Sequence, residues 1–368
     1  MNKKKIISVV GARPNFMKVA PIHRAFRKYK DSAEHIICHT GQHYDVNMSD
    51  AFFKDLEMPQ PKHFLGVGSG SHAEQTAKIM LSFEKVLLDE KPDMIILVGD
   101  VNSTIACGLT AVKLGIKVAH VEGGLRSFDR SMPEEINRIA TDSICDHCFI
   151  TEKSALINLR NENFPEENIF FTGNTMIDSQ VYALPKAKKL NVLEKYDLEA
   201  KKYVLSTIHR PSNVDDKDQL SDILDVFEHL GEHREIILPM HPRTRKNLSA
   251  FDLMKKAESI SALKIIEPVG YIEFLALMIE ADFLLTDSGG IQEETTALGI
   301  PCITIRPTTE RPSTVELGTN VLIKPLRNNM LEAVSKMLHE ERKKGEVPPY
   351  WDGKAAERIT AIIMDKCL

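Results

Sequence analysis

The stretch AHVEGGLRSFDRSMPEEINR, residues 119–138, joins a short apolar run to a helical pattern. The apolar run ends at Val121, and Pro133 opens the helix with two glutamates directly behind it. Glu122, two glycines and Arg126 lie between these two elements. A strand that passes through charged residues and glycines into a helix is typical of a βα unit, in which ligands bind beyond the carboxyl end of the strand.

The same alternation of strand-like and helical patterns recurs along the chain. The strand-like runs are KIISVV, EHIICHT, DMIILVGD, KVAHV, HCFIT, IFFTG, YVLSTIH, EIILPMH, LKIIEPV, DFLLTD, PCITI and NVLI. This alternation predicts βαβ units, a mostly parallel sheet and the α/β class. The Lys-rich stretch 185–202 is interpreted as a connection between two halves. We expect domains at 1–173 and 174–354, with a final helix at 355–368 whose apolar stripe could pack on either half.

The composition is that of an ordinary soluble protein. The 368 residues are 43% hydrophobic and 27% charged, with a formal net charge of −5, which argues against nucleic acid or an anionic membrane as a partner. No run approaches the roughly 20 apolar residues that span a bilayer. The apolar run after the basic start of the chain is too short for a signal peptide. We therefore expect a cytoplasmic protein.

The cysteines and histidines carry no recognisable metal pattern. Six cysteines in 368 residues are too sparse for a disulfide scaffold. Cys145 and Cys148 form a lone C-x-x-C with no second pair at zinc spacing, so we interpret them as structural thiols rather than metal or redox groups. Walker and G-x-G-x-x-G motifs are also missing from the sequence. We expect neither a metal nor a cofactor.

The clearest anion site lies in LLTDSGGIQEETTALG, where an apolar strand runs into Ser288, Gly289 and Gly290 and a helix follows. Glycines allow close approach of the backbone, and the unpaired N–H groups at a helix N-terminus favour a phosphate. Glu294, one turn into the helix, could hold ribose hydroxyls. A tight turn with a helix cap would also explain the glycines.

Further cations lie near other strand ends. Arg13 and Lys18 occur about one helical turn apart after the first strand, a spacing that suits a diphosphate but also a solvated helix face. Arg306 and Arg311, in RPTTERPS, are additional anion ligands in this interpretation, and an exposed loop would explain them equally well.

Four titratable residues are candidates for acid–base chemistry. Asp100 and Glu122 each follow an apolar strand, Glu134 lies in the first turn of a helix, and His209 follows a strand of the second half. Carboxylates at such partly desolvated strand ends can be tuned for proton transfer. Each alone could be a structural hydrogen-bond acceptor or a helix-start charge, but together they predict a proton-transfer set.

Eight motifs in a fixed order identify a family. They are GARPNFMKVAPI, TGQHYD, VGDVNST, HVEGGLRS with MPEEINR, TGNTMID, HRPSNVDD, LTDSGGIQEE and TTERPSTVELGT. Together they closely resemble the UDP-N-acetylglucosamine 2-epimerase family, of the non-hydrolysing type. The resemblance implies a GT-B-like fold of two Rossmann-type domains with the active site in the cleft between them. It also implies a C-terminal helix packed on the first domain and a homodimer that needs neither NAD nor a metal.

The resemblance also assigns roles. It places the UDP diphosphate on Ser288, Gly289, Gly290, Arg13 and His241, the ribose on Glu294, the uracil near Phe274, and catalysis on Asp100, Glu122, Glu134 and His209. The implied reaction converts UDP-N-acetylglucosamine to UDP-N-acetylmannosamine through elimination of UDP to 2-acetamidoglucal and re-addition of UDP, with protonation from the opposite face. Asp100 and Glu134 are expected to transfer protons, Glu122 to orient them or stabilise charge, and His209 to serve the leaving-group side.

Several alternatives stay open. They are a hydrolysing 2-epimerase, a 2-epimerase of a UDP-2,3-diacetamido uronic acid sugar, a GT-B glycosyltransferase and an inactive sugar-nucleotide sensor. One departure from the family pattern concerns the second, allosteric site for UDP-N-acetylglucosamine in many bacterial members. That site uses a Gln-His pair, here Gln42 and His43, and an arginine in the next loop, where this chain has GVGSGSHAEQT and no arginine.

Overall fold

The computed structural model describes residues 3–42 and 55–368, without the side chain of Arg13. The chain divides into two compact units, the first comprising Met1–Tyr182 with Pro349–Leu368 and the second Ala183–Pro348.

The first unit contains a parallel sheet. Its strands in the described residues are β1 Lys4–Val10, β2 Ala33–His39, β3 His63–Phe64, β4 Met94–Val98, β5 Lys117–Val121, β6 His147–Ile150 and β7 Ile169–Phe171. They lie in the order β3-β2-β1-β4-β5-β6-β7, and all pairs are parallel. Every residue of β4, MIILV, is buried, as expected for a strand covered on both faces.

Helices connect these strands. They are α1 Arg13–Phe26, α2 His72–Glu90, α3 Asn102–Lys113, α4 Pro133–Ile144, α5 Lys153–Asn161 and α6 Thr175–Ala187. Helix α2 packs on α3, and α3 packs on α4. Helix α6 crosses the boundary between the two units.

The second unit repeats the architecture. Its strands are β8 Tyr203–Thr207, β9 Glu235–Pro239, β10 Leu263–Ile266, β11 Phe283–Thr286, β12 Cys302–Ile305 and β13 Asn320–Ile323. Its helices are α7 Val192–Tyr196, α8 Pro211–Val214, α9 Lys217–Gly231, α10 Pro242–Ala250, α11 Met254–Ser259, α12 Tyr271–Glu280, α13 Gly289–Leu298, α14 Pro312–Glu316 and α15 Arg327–His339. The parallel strands lie in the order β10-β9-β8-β11-β12-β13. The Lys-rich stretch 185–202 contains the end of α6 and all of α7, which packs on α12.

Each sheet has a point where the strand order reverses. In the first unit this point lies between β1 and β4, and in the second between β8 and β11. Doubly wound sheets bind ligands at the carboxyl ends of the strands beside such a point. Asp100 follows β4, His209 follows β8, and Ser288 follows β11, so candidate residues lie at the switch point of each unit.

The C-terminal segment belongs to the first unit. Its helix, α16 Ala355–Ile362, packs on α1. The buried carboxylate of Asp178 on α6 accepts the backbone N–H groups of Ala355 at 3.0 Å and Ala356 at 2.7 Å. The indole of Trp351 donates to the carbonyl of Thr151 at 2.9 Å. These contacts hold the segment in place.

In the described residues, no helix combines the length and the apolar character that a membrane span requires.

Candidate active site

Asp100 is tied to helix α4 by an ionic chain. Gly99, which precedes it, has a φ of +67°, a conformation that favours glycine. The partly exposed carboxylate of Asp100 pairs with the buried guanidinium of Arg138. Arg138 also binds Glu135, whose carboxylate accepts the backbone N–H of Ser127 at 2.9 Å. The loop before α4 is therefore linked to the end of β4.

Glu134 shares the face of α4 that reaches Asp100. It lies in the first turn of the helix and is partly exposed, where the helix macrodipole favours a negative charge. Arg138 is four residues further along and so lies on the same face. Since Arg138 binds Asp100, Glu134 lies on the helix face that carries the partner of Asp100.

Glu122 is buried at the end of β5 and pairs with Lys18 of α1. Its φ of +71° is uncommon for a residue other than glycine. A Cβ placed on Gly99 would lie 3.2 Å from Nζ of Lys18, so the end of β4 passes close to this ion pair. The ammonium of Lys18 therefore binds Glu122 here, and its assignment to a diphosphate stays a prediction.

His209, after β8, is positioned by Asp287, after β11. Asp287 lies 3.1 Å from Nδ1 of His209 and accepts the backbone N–H of His209 and of Arg210 at 2.9 and 2.8 Å. The amide of Asn213 donates to the same carboxylate at 3.1 Å. The backbone and the ring of His209 are thus fixed by one buried carboxylate.

The N-terminus of α13 is surrounded by charged side chains. Ser288 is its N-cap residue. A Cβ on Gly289 would lie 2.9 Å from Oε1 of Glu310, 3.5 Å from Nη1 of Arg306 and 3.6 Å from Nη1 of Arg311. A side chain at this position would push against the carboxylate of Glu310, and the N-terminus of the helix lies against two guanidinium groups, an arrangement that suits an anion.

Two guanidinium groups near α13 keep N–H donors that are not used within the described residues. Arg306 pairs with Glu310 at 2.9 Å, and Arg311 pairs with Glu310 and with Glu293. Burial lowers the pKa of Arg306; Glu310 counteracts this effect, and repulsion from Arg210 adds to it. Nη1 of Arg306 and Nε of Arg210 are buried without a hydrogen-bond partner in the described part of the chain. A bound anion would supply the missing acceptors.

Glu294 is a buried carboxyl group on α13. The hydroxyl of Tyr271 donates to it at 2.7 Å. Burial raises the pKa of Glu294 to about 7; the Tyr271 hydroxyl opposes the shift, and the negative charge of Glu293 adds to it. The carboxyl group can therefore change its charge near neutral pH.

The structure gives the positions of three further predicted UDP ligands but few of their contacts. His241 is the exposed N-cap residue of α10, and its ring centroid lies 5.2 Å from that of His209. Phe274 lies partly buried on α12. Arg13 begins α1, but its side chain lies outside the described residues.

The C-x-x-C thiols lie beside a buried carboxylate. Sγ of Cys145 and Sγ of Cys148 are 3.3 Å apart, and the ligand atoms of both thiols and of Asp142 lie within 4.8 Å of one another. Asp142 already accepts from His120 and Arg126, each at 2.7 Å. Burial raises the pKa of Cys148, which disfavours a thiolate ligand. These contacts favour the structural interpretation of the two thiols.

Of the two residues that correspond to the Gln-His pair of the relatives' allosteric site, the structure describes only Gln42. Oε1 of Gln42 accepts from the backbone N–H and the hydroxyl of Ser103 at 3.0 and 2.7 Å. Gln42 is therefore part of the first unit's internal hydrogen bonding. His43 lies outside the described residues.

Sequence reasoning gave no role to Arg138, Arg210, Tyr271, Asp287 or Glu310. Two of them carried a positional signal: Asp287 directly precedes Ser288 at a strand end, and Arg138 lies one turn after Glu134. Their partners could not be found without the fold.

Comparisons with known proteins agree with this architecture. A sequence model of the family described as UDP-N-acetylglucosamine 2-epimerase matches residues 25–364. The chain is 45% identical over 364 residues to the UDP-N-acetylglucosamine 2-epimerase of Methanocaldococcus jannaschii, with 98% of each chain covered. It is 37% identical to the UDP-2,3-diacetamido-2,3-dideoxy-D-glucuronate 2-epimerase of Pseudomonas aeruginosa, covering 96% of this chain and 98% of that protein.

A solved structure gives the same result. The crystal structure of M. jannaschii UDP-GlcNAc 2-epimerase in complex with UDP-GlcNAc and UDP matches with a TM-score of 0.90 at 45% identity. The match covers 98% of this chain and 99% of that chain.

Two parallel-sheet α/β domains with polar residues at each switch point define an α/β enzyme of GT-B-like fold. The chain belongs to the UDP-N-acetylglucosamine 2-epimerase family. The fold class, the family and the epimerase class predicted from the motifs are therefore confirmed.

Proposed function

We propose that this chain interconverts UDP-N-acetylglucosamine and UDP-N-acetylmannosamine without net hydrolysis. The observation that carries the proposal is the 45% identity, over 98% of both chains, to the M. jannaschii enzyme. That enzyme has been crystallised with UDP-GlcNAc and UDP. The side chains at the strand ends support the same chemistry.

In this proposal, UDP binds to the second unit. The diphosphate lies at the N-terminus of α13, where Arg306 Nη1 and Arg210 Nε need acceptors, and Arg311 is a further candidate ligand. Glu294 accepts from the ribose hydroxyls, and Phe274 packs on the uracil. Arg13, Lys18 and His241 remain candidate diphosphate ligands from the sequence.

The first chemical step removes the proton from carbon 2 and breaks the bond between carbon 1 and the UDP oxygen. The electron pair of the C–H bond forms the double bond between carbons 1 and 2, and UDP leaves with the pair of the C–O bond. A carboxylate takes the proton as general base. The products of this half-reaction are 2-acetamidoglucal and UDP.

The second step reverses these changes, with the proton delivered to the opposite face of carbon 2. A carboxylic acid donates a proton to carbon 2, and the UDP oxygen adds to carbon 1. Atoms and electrons therefore balance without an external redox partner. We assign proton transfer to Asp100 and Glu134, whose side chains are partly exposed and share the neighbourhood of Arg138.

Glu122 and His209 receive supporting roles. Glu122 is buried against Lys18, which favours orientation or charge stabilisation over proton exchange with solvent. His209, with its Nδ1 on Asp287, can present Nε2 to the leaving-group oxygen.

A second candidate substrate is UDP-2,3-diacetamido-2,3-dideoxy-glucuronate. It is favoured by the 37% identity to the P. aeruginosa enzyme. This substrate differs by a carboxylate at carbon 6 and an acetamido group at carbon 3, so it would need an additional cation or donor near the sugar.

Product analysis separates the candidates. Purified protein is incubated with each nucleotide sugar, and the products are resolved by anion-exchange chromatography. UDP-N-acetylmannosamine in equilibrium with its substrate supports the proposal. Free N-acetylmannosamine with stoichiometric UDP indicates the hydrolysing reaction, and turnover of the diacetamido sugar alone indicates the second candidate.

We also propose that the chain forms a homodimer through the outer face of α2. Leu81 and Leu88, seven residues apart on that face, are 66% and 54% exposed. Light scattering should show a dimer that Leu81→Glu with Leu88→Glu converts to a monomer. Leu326→Glu, at a 58% exposed leucine of the second unit, should leave the dimer intact. A monomeric wild type would reject the proposal.

The proposal includes a cytoplasmic location. All six cysteines are buried thiols, and two of them have Sγ atoms only 3.3 Å apart. Free thiols at such a distance are expected in a reducing compartment. A fluorescent fusion that fractionates outside the cytoplasm would contradict this part.

A further inference from the structure

A buried pair, His120 and Asp142, joins the backbones of two strand-end loops. Nε2 of His120 lies 2.8 Å from the carbonyl oxygen of Gly99, directly before Asp100. Nδ1 of His120 lies 2.7 Å from Oδ1 of Asp142. Oδ2 of Asp142 accepts the backbone N–H of Gly124 at 2.9 Å, two residues after Glu122. The pair therefore contacts both loops that carry candidate catalytic carboxylates.

The hydrogen-bond chemistry fixes the role of each atom. A carbonyl oxygen only accepts, so Nε2 of His120 donates to Gly99. Burial opposes ionisation of Asp142, but its contacts with His120 and Arg126 hold its pKa below the usual range. Its carboxylate oxygen therefore accepts from Nδ1. Both ring nitrogens of His120 therefore lie against oxygen atoms, one on each of the two groups that the ring joins.

Such an arrangement is a costly way to stabilise a fold. His120 and Asp142 are essentially inaccessible to solvent, and a buried ionic group such as Asp142 with Arg126 is often no more stabilising than apolar residues of the same size. Other groups packed against Asp142 are Arg126, which is itself bound to Glu162, and Cys148, with Sγ 3.7 Å away. Stability alone therefore explains the pair poorly.

The two loops that the His120–Asp142 pair contacts contain residues with positive φ angles. Gly99 has a φ of +67° and Glu122 a φ of +71°. A left-handed conformation at a glutamate persists only when its surroundings enforce it. His120 holds Gly99, directly before Asp100, and Asp142 holds Gly124, two residues after Glu122. These two contacts can enforce the backbone conformations of the loops.

We propose that His120 and Asp142 are positioning residues that set the geometry of Asp100 and Glu122 for the epimerisation. The proposal rests on the function proposed above. His120 fixes the peptide group that leads into Asp100, and Asp142 fixes the glycine turn that follows Glu122. Neither side chain touches the substrate in this account.

Two substitutions of His120 separate its two hydrogen bonds. In His120→Gln, the amide nitrogen can occupy the place of Nε2 and still donate to Gly99. In His120→Asn, the shorter amide can donate to Asp142 but cannot reach Gly99. A displacement of about 1 Å at a reacting group can cost roughly 100-fold in rate. We therefore expect kcat to fall by about 100-fold in His120→Asn and at least tenfold less in His120→Gln, with UDP affinity unchanged in both.

Ser8→Ala is the matched control. The hydroxyl of Ser8, in the middle of β1, bonds Nε2 of His35 at 2.8 Å away from the strand ends. Its loss removes a partly buried hydrogen bond from the same unit and should leave kcat unchanged. Amide hydrogen exchange supplies a readout that does not depend on activity. Exchange at 99–102 should accelerate in His120→Asn but not in Ser8→Ala.

The outcomes decide between positioning and a merely structural role. Equal kcat for the two His120 variants, or unchanged exchange at 99–102 in His120→Asn, would overturn the proposal. If His120→Asn does not fold, Asp142→Asn replaces it. We then expect faster amide exchange at 122–126 and a lower kcat, and wild-type values of both would overturn the proposal. A wild type that turns over no nucleotide sugar rejects the proposed function, whereas the exchange result still decides the positioning.

Discussion

The carboxylate of Asp287 holds both the ring and the backbone of His209. It lies 3.1 Å from Nδ1 and accepts the backbone N–H at 2.9 Å. Although burial opposes ionisation, the contact with His209 and the backbone N–H of Arg210 keep the pKa of Asp287 below its usual range. A charged, fixed acceptor on Nδ1 orients the ring and leaves Nε2 for the substrate.

Asp287→Asn should therefore lower kcat by about 10- to 100-fold, the usual scale for a residue that orients an active-site histidine. UDP affinity should change little. Asp282→Asn is the matched control, because Asp282 precedes the same strand and pairs with Arg234 and Arg342 at the opposite end. Steady-state kinetics that show equal losses in both variants would contradict the positioning role.

Asp100→Asn and Glu134→Gln should each lower turnover by roughly 100-fold or more, the scale of general acid–base groups. UDP binding, measured by calorimetry, should be little affected. Asp93→Asn serves as the control, since Asp93 precedes β4 and binds the backbone N–H of Lys5 at 2.8 Å. Wild-type turnover in either test variant would remove that residue from the proton-transfer step.

UDP-sugar binding should depend on pH through Glu294. Its raised pKa, about 7, means that the carboxyl group is mostly protonated at pH 6 and mostly ionised at pH 8. If the ribose hydroxyls donate to the carboxylate, the dissociation constant of UDP-N-acetylglucosamine should rise by about tenfold from pH 8 to pH 6. The diphosphate of UDP-N-acetylglucosamine is esterified at both ends and does not titrate between pH 6 and pH 8.

The binding measurement uses the Asp100→Asn background, which suppresses turnover. Glu294→Gln should bind with an affinity that is flat between pH 6 and pH 8, and Glu294→Ala should mainly weaken binding. A turnover defect at unchanged affinity in Glu294→Ala would argue against the ribose role.

Asp178→Ala should loosen the C-terminal segment. The carboxylate caps α16 through Ala355 and Ala356, and loss of a helix cap costs about 1 kcal/mol. Trp351 is the only tryptophan of the chain and lies buried in this segment, so its fluorescence reports the change during denaturation. Asp178→Asn retains an acceptor for one of the two N–H groups and should restore part of the stability. An unchanged midpoint in Asp178→Ala would show that the cap contributes nothing.

The carboxyl group of Asp178 should also make the stability of the protein depend on pH. Burial raises the pKa of Asp178 to about 6, against the pull of the two N–H groups. The folded state therefore holds this proton more tightly than the unfolded chain. Its contribution to stability is present at low pH and is lost as the pH rises from about 4 through 6. Wild type should lose stability relative to Asp178→Asn over that window.

The fold could be predicted because its signals are local. A run such as MIILV, buried along its whole length in β4, indicates a parallel strand covered on both faces, and the polar residues that follow such runs mark the binding edge of the sheet. Ser288 to Gly290 were recognisable for the same reason, since a strand, glycines and a helix follow one another in sequence.

The pairings in the site could not be predicted, because they join distant parts of the chain. Lys18 and Glu122 are 104 residues apart, and His209 and Asp287 are 78 apart. From its spacing, Lys18 was a candidate diphosphate ligand, whereas in the structure it binds a buried carboxylate. Only the fold shows which charges are already partnered.

Proton NMR of the purified protein with UDP-N-acetylglucosamine in D₂O follows the proposed proton transfer at carbon 2. Elimination and re-addition predict that UDP-N-acetylmannosamine appears with deuterium at carbon 2, and that the remaining substrate also gains deuterium there. Conversion without deuterium, or no exchange at carbon 2 of this substrate, would contradict proton transfer through the proposed elimination and re-addition.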